Sequence, residues 1–209
     1  MAEGPAARAA SELRRRIVLN DLPPGSVLTE LGLAADIACS QAAVREALLR
    51  LEGEGLVLRA GRQGTTVTDL DADTALEILD LRRRIELRGA RRAVRRVTAG
   101  DLAALERIQS GMEAAAASGD AWAVLEADME WHLALFRISG LHAMAPILAR
   151  CALHTHRFRL WAPWHRRPLY ETAARHPPIL AALRAGDAAT LVRDLGAHLD
   201  TIVERRAAA

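Results

Sequence analysis

The N-terminal third of the chain has apolar residues at helical spacing, in two stretches separated by a short break. Over 44–51 they fall at i, i+3, i+4 and i+7, which is the pattern of one buried face of an α-helix. Ser40 stands just before this run, and its hydroxyl can accept a hydrogen bond from a free N–H at the helix start. A shorter apolar pattern over 31–36 precedes it, and residues 37–39 separate the two. The spacing predicts a helix-turn-helix.

The second of these helices is expected to present polar residues on its free face. With the N-cap, the candidate DNA-binding residues are Ser40, Gln41, Ala42, Arg45 and Arg50. A helix face that carries Arg and Gln suits the DNA major groove, where both side chains hydrogen-bond base edges. The same spacing also fits an ordinary helical hairpin with a solvated polar face, so the helices alone leave both interpretations open.

Two runs rich in Val and Thr follow at once and predict a β-hairpin. They span 56–59 and 65–68, and the segment between them contains two glycines. A helix-turn-helix followed by a hairpin is the arrangement of a winged helix, which favours the DNA-binding interpretation. Arg62 at the tip, near Gly64, is placed to enter the minor groove or to contact a phosphate.

The rest of the chain shows helical periodicity and no strand pattern. Six helices are predicted, at about 74–97, 100–118, 121–139, 143–160, 171–185 and 188–206. Because the intervening loops are mostly short, these helices should pack as an antiparallel bundle. The predicted fold class is mainly α, with an N-terminal winged helix-turn-helix domain over 1–70 and a C-terminal antiparallel all-helical bundle over 71–209.

Composition limits the class of protein. Hydrophobic residues make up 51% of the 209 residues and aromatic ones 3%, which favours helices. The net charge is +2, and residues 1–70 contain 8 Arg against 9 acidic residues, so DNA affinity must depend on where the arginines lie. Cys39 and Cys151 fit neither a disulfide framework nor a zinc finger. Without a membrane-spanning run or a secretory segment, the expected location is the cytoplasm.

A candidate metal site emerges from the spacing of one carboxylate and three imidazoles. Asp128 and His132 are four residues apart, so they share one helix face. His176 and His198 each lie 11 residues from Asp187, and the two imidazoles meet if the last two helices fold back antiparallel. Such a set suits Zn²⁺ or a similar divalent ion. The alternative is an Asp–His hydrogen bond with two unrelated buried histidines.

The remaining histidines are weaker candidates for a metal site. His154 and His156 are two residues apart and do not face each other on a helix. His142 and His165 stand at helix breaks, where we expect them to be exposed.

Arg82 is a candidate for binding an anionic ligand. It lies at the edge of a core-facing helix stripe, where an arginine is costly unless it is paired. Glu86, four residues on, is the expected partner, and the pair leaves guanidinium donors for a ligand carboxylate. A purely structural ion pair explains the pattern equally well.

The ordered motifs resemble those of a known family. PGSVLTELGLAADIACSQAAVREALLRLEGEGLV and the wing GRQGTTV resemble the winged helix of GntR-family transcription regulators. LRRRIE, DMEWH, RHPPILAALRAGD and GAHL are similar to the FCD domain of the FadR-like subgroup. The resemblance implies a homodimeric, DNA-binding regulator, expected to be a repressor, with a small carboxylate effector. It also implies that Asp128, His132, His176 and His198 bind a divalent metal, Zn with Ni or Mn as alternatives, and that Arg82 lines the effector cavity.

Two departures from the family pattern limit what the resemblance implies. The family usually has arginine where this chain has Gln41, and glutamine prefers adenine where arginine prefers guanine, so operator sequence cannot be carried over. The common Ser-Gly-Asn is Ser-Gly-Leu at 139–141. Two rival functions are a metal sensor, in which the ion is the signal, and a metal-dependent hydrolase. The sequence offers no general base beyond the ligands, so we expect no enzyme activity.

Overall fold

The computed structural model describes residues 4–59, 64–162 and 167–202. The chain separates into two compact units between Asp71 and Ala72. Each unit is described by itself below.

The first unit combines three helices with a small sheet. Its elements are α1 (Pro5–Val18), β1 (Val27–Leu28), α2 (Glu30–Asp36), α3 (Gln41–Glu54), β2 (Val57–Arg59) and β3 (Thr65–Val67). The strands are antiparallel, in the order β1-β3-β2. The predicted hairpin is therefore confirmed, and β1 extends it to a three-stranded sheet. The predicted wing tip, with Arg62, lies outside the described residues.

Short polar side chains set the helix boundaries of the helix-turn-helix. Thr29 accepts a hydrogen bond from the N–H of Gly32 at the start of α2, and Ser40 accepts one from Ala43 at the start of α3. Between the two helices Ala38 has φ +49°, a left-handed conformation that reverses the chain direction. The apolar face predicted over 44–51 is fully buried. The helix-turn-helix prediction is thus confirmed.

The second unit contains only helices among its described residues. They are α4 (Ala72–Ala93), α5 (Ala99–Ser118), α6 (Ala121–Ile138), a 3-10 turn (His142–Met144), α7 (Ala145–Trp161), α8 (Leu169–Ala173), α9 (His176–Arg184) and α10 (Ala188–Asp200). None of the described helices is long and apolar enough to cross a membrane.

Two predicted boundaries in this unit were wrong. The helix expected over 171–185 is two helices, because Pro177 and Pro178 lack N–H groups and fit only in the first turn of a new helix. The first helix of the unit ends at Ala93 and not at 97, and Thr98 caps the next helix in a capping box with Asp101.

Helix α4 packs against α6, α7 and α10 and so lies at the centre of the second unit. Residues 151–157 of α7 are all buried, and four of them, His154, Thr155, His156 and Arg157, have polar side chains. Trp131 of α6 is fully buried in the main apolar cluster. Polar side chains from α4, α6 and α7 therefore point into one interior, which is where the candidate site lies.

Two helical glycines of this unit should respond in opposite ways to alanine. At Gly89 in α4 a Cβ would collide with the ring of Phe136, whereas at Gly111 in α5 it would meet nothing within 4 Å. Gly89→Ala should lower the free energy of unfolding by about 1–3 kcal/mol through overpacking. Gly111→Ala should raise it by about 0.5–1 kcal/mol through helix propensity. Urea titrations followed by circular dichroism measure both, and a stabilising Gly89→Ala would contradict the packing described here.

Candidate functional site

The second unit brings Asp128, His132, His176 and His198 together in its interior. Asp128 and His132 lie one turn apart on α6, His176 is the first residue of α9, and His198 lies near the end of α10. One potential ligand atom from each residue lies within 4.8 Å of the others, and all four side chains are buried. The four residues singled out by spacing therefore form one cluster.

Two of these imidazoles are oriented by hydrogen bonds on their outer side. Nδ1 of His132 lies 2.5 Å from a carboxylate oxygen of Glu86, and Nδ1 of His176 lies 3.1 Å from the carbonyl oxygen of Thr172. Such partners fix the ring and leave Nε2 facing inward, as in histidines that bind metals. The Nε2 atoms of His132 and His198 face each other at 3.0 Å.

A fourth histidine, His156 of α7, contacts the cluster from outside the set of four. Nε2 of His156 lies 2.9 Å from Oδ2 of Asp128, whose Oδ1 is 3.3 Å from Nε2 of His176. His156, rated a weaker metal candidate because it does not face His154, is not one of the four residues whose ligand atoms converge, but it contacts the carboxylate among them. The uncharged run Cys151–Thr155 was the available signal, because a helix without a charged face there has no side reserved for solvent.

The protonation states of the cluster suit a cation. Burial opposes ionisation of Asp128, but attraction to His156 and hydrogen bonds hold the pKa of the carboxyl well below its usual range. Burial lowers the pKa of His156 to about 4, although Asp128 opposes this shift. Burial and then the neighbouring imidazoles lower the pKa of His198 well below its ordinary value. An ionised carboxylate and neutral imidazoles, as the pKa directions of Asp128 and His198 favour, are the forms in which these groups bind metal ions.

Arg82 is fully buried and joined to the same cluster through Glu86. Its Nε donates to Glu86 at 2.6 Å, and its Nη1 donates to Oγ1 of Thr155 at 2.8 Å. The predicted Arg82–Glu86 pair is therefore present. Burial opposes ionisation of Glu86, but His132 and Arg82 hold the pKa of its carboxyl down at about 2. The Nη2 of Arg82 has no hydrogen-bond partner among the described residues, so one donor remains for a ligand.

The candidate DNA-binding residues form an exposed surface on α3. Gln41, Ala42 and Arg45 are all exposed. The guanidinium of Arg45 contacts the carboxylate of Glu30 on α2, with Nη2 at 2.8 Å from Oε2. The hydrogen bond from Arg45 lowers the pKa of Glu30. These exposed side chains are therefore accessible to a partner such as DNA.

Of the other candidate positions, the structure describes Arg50, Gly64 and His142. Arg50 pairs with Glu46 on the exposed side of the same helix, and Gly64 adopts φ +88° at the base of the wing. Arg62 and His165 lie outside the described residues. His142 is exposed, as predicted.

Both parts of the chain match known families. The profile described as bacterial regulatory proteins, gntR family, matches residues 5–67, and the FCD domain matches residues 77–201. The chain belongs to the GntR family of transcription regulators and carries an FCD domain. The resemblance noted in the sequence and the fold class are thereby confirmed.

Individual GntR relatives match either most of the chain or only part of it. The Nta operon transcriptional regulator of Aminobacter aminovorans is 32% identical over 190 residues, which cover 87% of this chain and 86% of the relative. The gluconate operon transcriptional repressor of Bacillus subtilis is 39% identical over 79 residues, 38% of this chain and 32% of the relative. The structure of E. coli McbR/YncC has a TM-score of 0.79 at 24% identity, covering 96% and 95%, and supports the fold.

The family membership settles the broad class of activity. GntR regulators bind operator DNA, and FCD domains bind small-molecule effectors. The chain is a transcription regulator and not an enzyme, as expected.

The interior ion pair can be tested through Glu86. Glu86→Gln keeps the shape of the side chain but leaves the guanidinium of Arg82 without a counter-charge in the core. The variant should lose about 3–5 kcal/mol in the free energy of unfolding. The control is Glu130→Gln, which removes a half-exposed partner of Arg137 and should cost less than about 1 kcal/mol. Equal effects in urea titrations would show that the buried pair contributes no more than a surface pair.

Proposed function

We propose that this regulator is a repressor whose operator affinity is controlled by a small carboxylate effector bound beside a divalent metal in the FCD domain. The observation that carries the proposal is the buried cluster of Asp128, His132, His176 and His198. Next to it stands the unpartnered donor of Arg82. A cation site and an anion-binding arginine in one interior suit a ligand that carries a carboxylate.

The donor set fits a divalent transition metal. Asp128 offers an oxygen, and the three histidines offer imidazole nitrogens, which suit Zn²⁺ and also Ni²⁺ or Mn²⁺. Nε2 of His176 is buried, and its 3.3 Å contact with Oδ1 of Asp128 does not have hydrogen-bond geometry, so a bond to a metal ion shared with that carboxylate would satisfy it. The bound ion would supply a Lewis acid that holds an effector oxygen.

Arg82 would position the effector. Its guanidinium is fixed by Glu86 and Thr155, and the remaining donor Nη2 is aligned by these two bonds. A preorganised buried donor loses little conformational entropy when it binds a carboxylate.

Control of DNA binding requires that the effector bind two arrangements of the protein unequally. We propose a homodimer in which the effector favours one relative arrangement of the two winged helices, acting on a two-fold symmetric operator in the cytoplasm. The Bacillus subtilis relative is a transcriptional repressor of the gluconate operon, which supports repression.

A metal sensor is the second candidate function, because the same cluster would serve a protein in which the ion itself is the signal. Operator release on addition of Zn²⁺ alone would favour the sensor, and release that needs a carboxylate in addition would favour the effector-controlled repressor. A gel-shift titration of the metal-free protein separates the two.

The DNA surface is tested by Arg45→Ala. If Arg45 hydrogen-bonds a base edge, the variant should bind its operator about 10- to 100-fold more weakly at fixed salt. Arg107→Ala is the matched control, since it removes the same charge from an exposed position of the helical unit. Wild-type affinity of the Arg45 variant in a gel-shift titration would remove α3 from the DNA interface.

The metal is tested on the full chain by elemental analysis and thermal denaturation. Folded protein should retain one divalent ion per chain, and dialysis against EDTA should lower the Tm, because the unfolded chain cannot assemble the site. Restoring the free ion to about 100 times its dissociation constant should return about 2.7 kcal/mol of stability.

Variants identify the metal ligands. His176→Ala and His198→Ala should each reduce the metal content, whereas the exposed His142→Ala should retain it. Stoichiometric metal in the His176→Ala, His198→Ala double variant would show that other residues bind the ion.

A further inference from the structure

The two prolines after His176 remove backbone donors at the break between α8 and α9. In a continuous helix each carbonyl accepts a hydrogen bond from the N–H four residues later, so the carbonyl of Ala173 would need the N–H of residue 177. Residue 177 is a proline, which has no N–H, and Pro178 follows it. The carbonyl of Ala173, at the end of α8, therefore needs a donor from elsewhere in the protein.

Gln109 of α5 supplies the missing donor from its side chain. Its Nε2 donates to the carbonyl oxygen of Ala173 at 2.9 Å and to Oε1 of the exposed Glu113 at 2.7 Å. Both partners only accept hydrogen bonds, which fixes the orientation of the amide. Oε1 of Gln109 has no hydrogen-bond partner among the described residues. The structure thus uses the donor end of this amide.

The position of Gln109 on its helix is one that normally carries an apolar side chain. Leu105 lies four residues before it and Met112 three residues after it, so the three residues share one face of α5. Leu105 and Met112 are fully buried, and Gln109 is only 7% exposed. Burying an amide in such a stripe is costly unless it is hydrogen-bonded. The bond to Ala173 therefore explains why a polar residue stands there.

The carbonyl next to that of Ala173 orients a candidate metal ligand. Nδ1 of His176 lies 3.1 Å from the carbonyl oxygen of Thr172, to which the ring N–H donates. Thr172 and Ala173 are consecutive residues at the end of α8, which has only five residues and is too short to be stable by itself. Helix α5 packs against both α8 and α9. Holding the carbonyl of Ala173 therefore also holds that of Thr172, and with it the direction in which Nε2 of His176 points.

We propose that Gln109 is a positioning residue for His176. By taking the place of the N–H that Pro177 lacks, its side chain fixes the end of α8 and aims the imidazole of His176 into the cluster of four buried ligands. This inference rests on the proposed function, since it assumes that the cluster binds a divalent ion. Gln109 acts through the backbone of α8 and is not a ligand.

The test is a competition titration of the metal-free full chain with a chelating indicator, using whichever of Zn²⁺, Ni²⁺ and Mn²⁺ the wild type binds most tightly. Gln109→Met keeps the length of the side chain but removes the donor, and it should bind the ion about tenfold more weakly, as when an outer partner of a ligand is lost. The matched control is Glu113→Ala, which removes the other acceptor of the same amide, keeps the bond to Ala173 and should leave the affinity unchanged.

Thermal denaturation of the metal-free variants separates positioning from a structural role. A Gln109 that only stabilised the fold would lower the Tm of the metal-free protein and leave the ion affinity of folded Gln109→Met at the wild-type value, which would overturn the proposal. If the wild type binds none of the three ions, the proposed metal site fails together with the role of Gln109.

A double-mutant cycle shows whether Gln109 acts through His176. In a His176→Ala background the ligand is gone, so adding Gln109→Met should change the remaining ion affinity by less than about twofold. A further tenfold loss in the double variant would refute the route through His176. Should Gln109→Met not fold, Gln109→Asn replaces it, because it keeps the amide but withdraws the donor from Ala173. Weaker ion binding by folded Gln109→Asn then supports the role, and unchanged binding overturns it.

Discussion

The helical unit depends on pairing the charged groups that it buries. Glu86 of α4 accepts from Arg82 on the same helix and contacts His132 of α6, while Arg82 also donates to Thr155 of α7, so the ion pair links three helices. Removing either partner would leave an uncompensated charge whose burial costs several kcal/mol. The interactions that stabilise the bundle are therefore the same ones that orient the candidate ligands, and the fold and the site cannot be altered independently.

This shared network gives the site a means of acting on the fold. The cluster draws side chains from α6, α9 and α10, and Arg82 and Thr155 extend it to α4 and α7. A ligand that tightens these contacts changes how the helices pack, and only such a difference in packing can be transmitted to a second site. Several buried polar atoms of this interior lack hydrogen-bond partners among the described residues. A ligand that satisfied them would stabilise the folded unit in proportion to how much of the protein it occupies.

Local rules predicted most of the fold and part of the site. Helical periodicity and capping residues gave the helix-turn-helix, since one buried face and one cap define each helix. Equal spacing of His176 and His198 from Asp187 anticipated their contact because α9 and α10 pack against each other. The contact of His156 with Asp128 was not predicted, because His156 becomes interior only when several helices surround α7. The break near Arg175 was missed because periodicity continued across the two prolines.

The candidate DNA-binding surface contains an arginine, Arg45, that is already ion-paired in the free protein. Arg45 is bound to Glu30 in the free protein, but the pair is solvent-exposed, and exposed pairs contribute little because water competes for both partners. A bidentate bond from arginine to guanine in the major groove is considerably stronger than such a pair. Exchanging the Arg45–Glu30 ion pair for a hydrogen bond to a base would therefore cost little free energy. Gln41 stands at the start of the same helix, and glutamine prefers adenine, so we propose that base readout by this helix would combine two residues of different base preference.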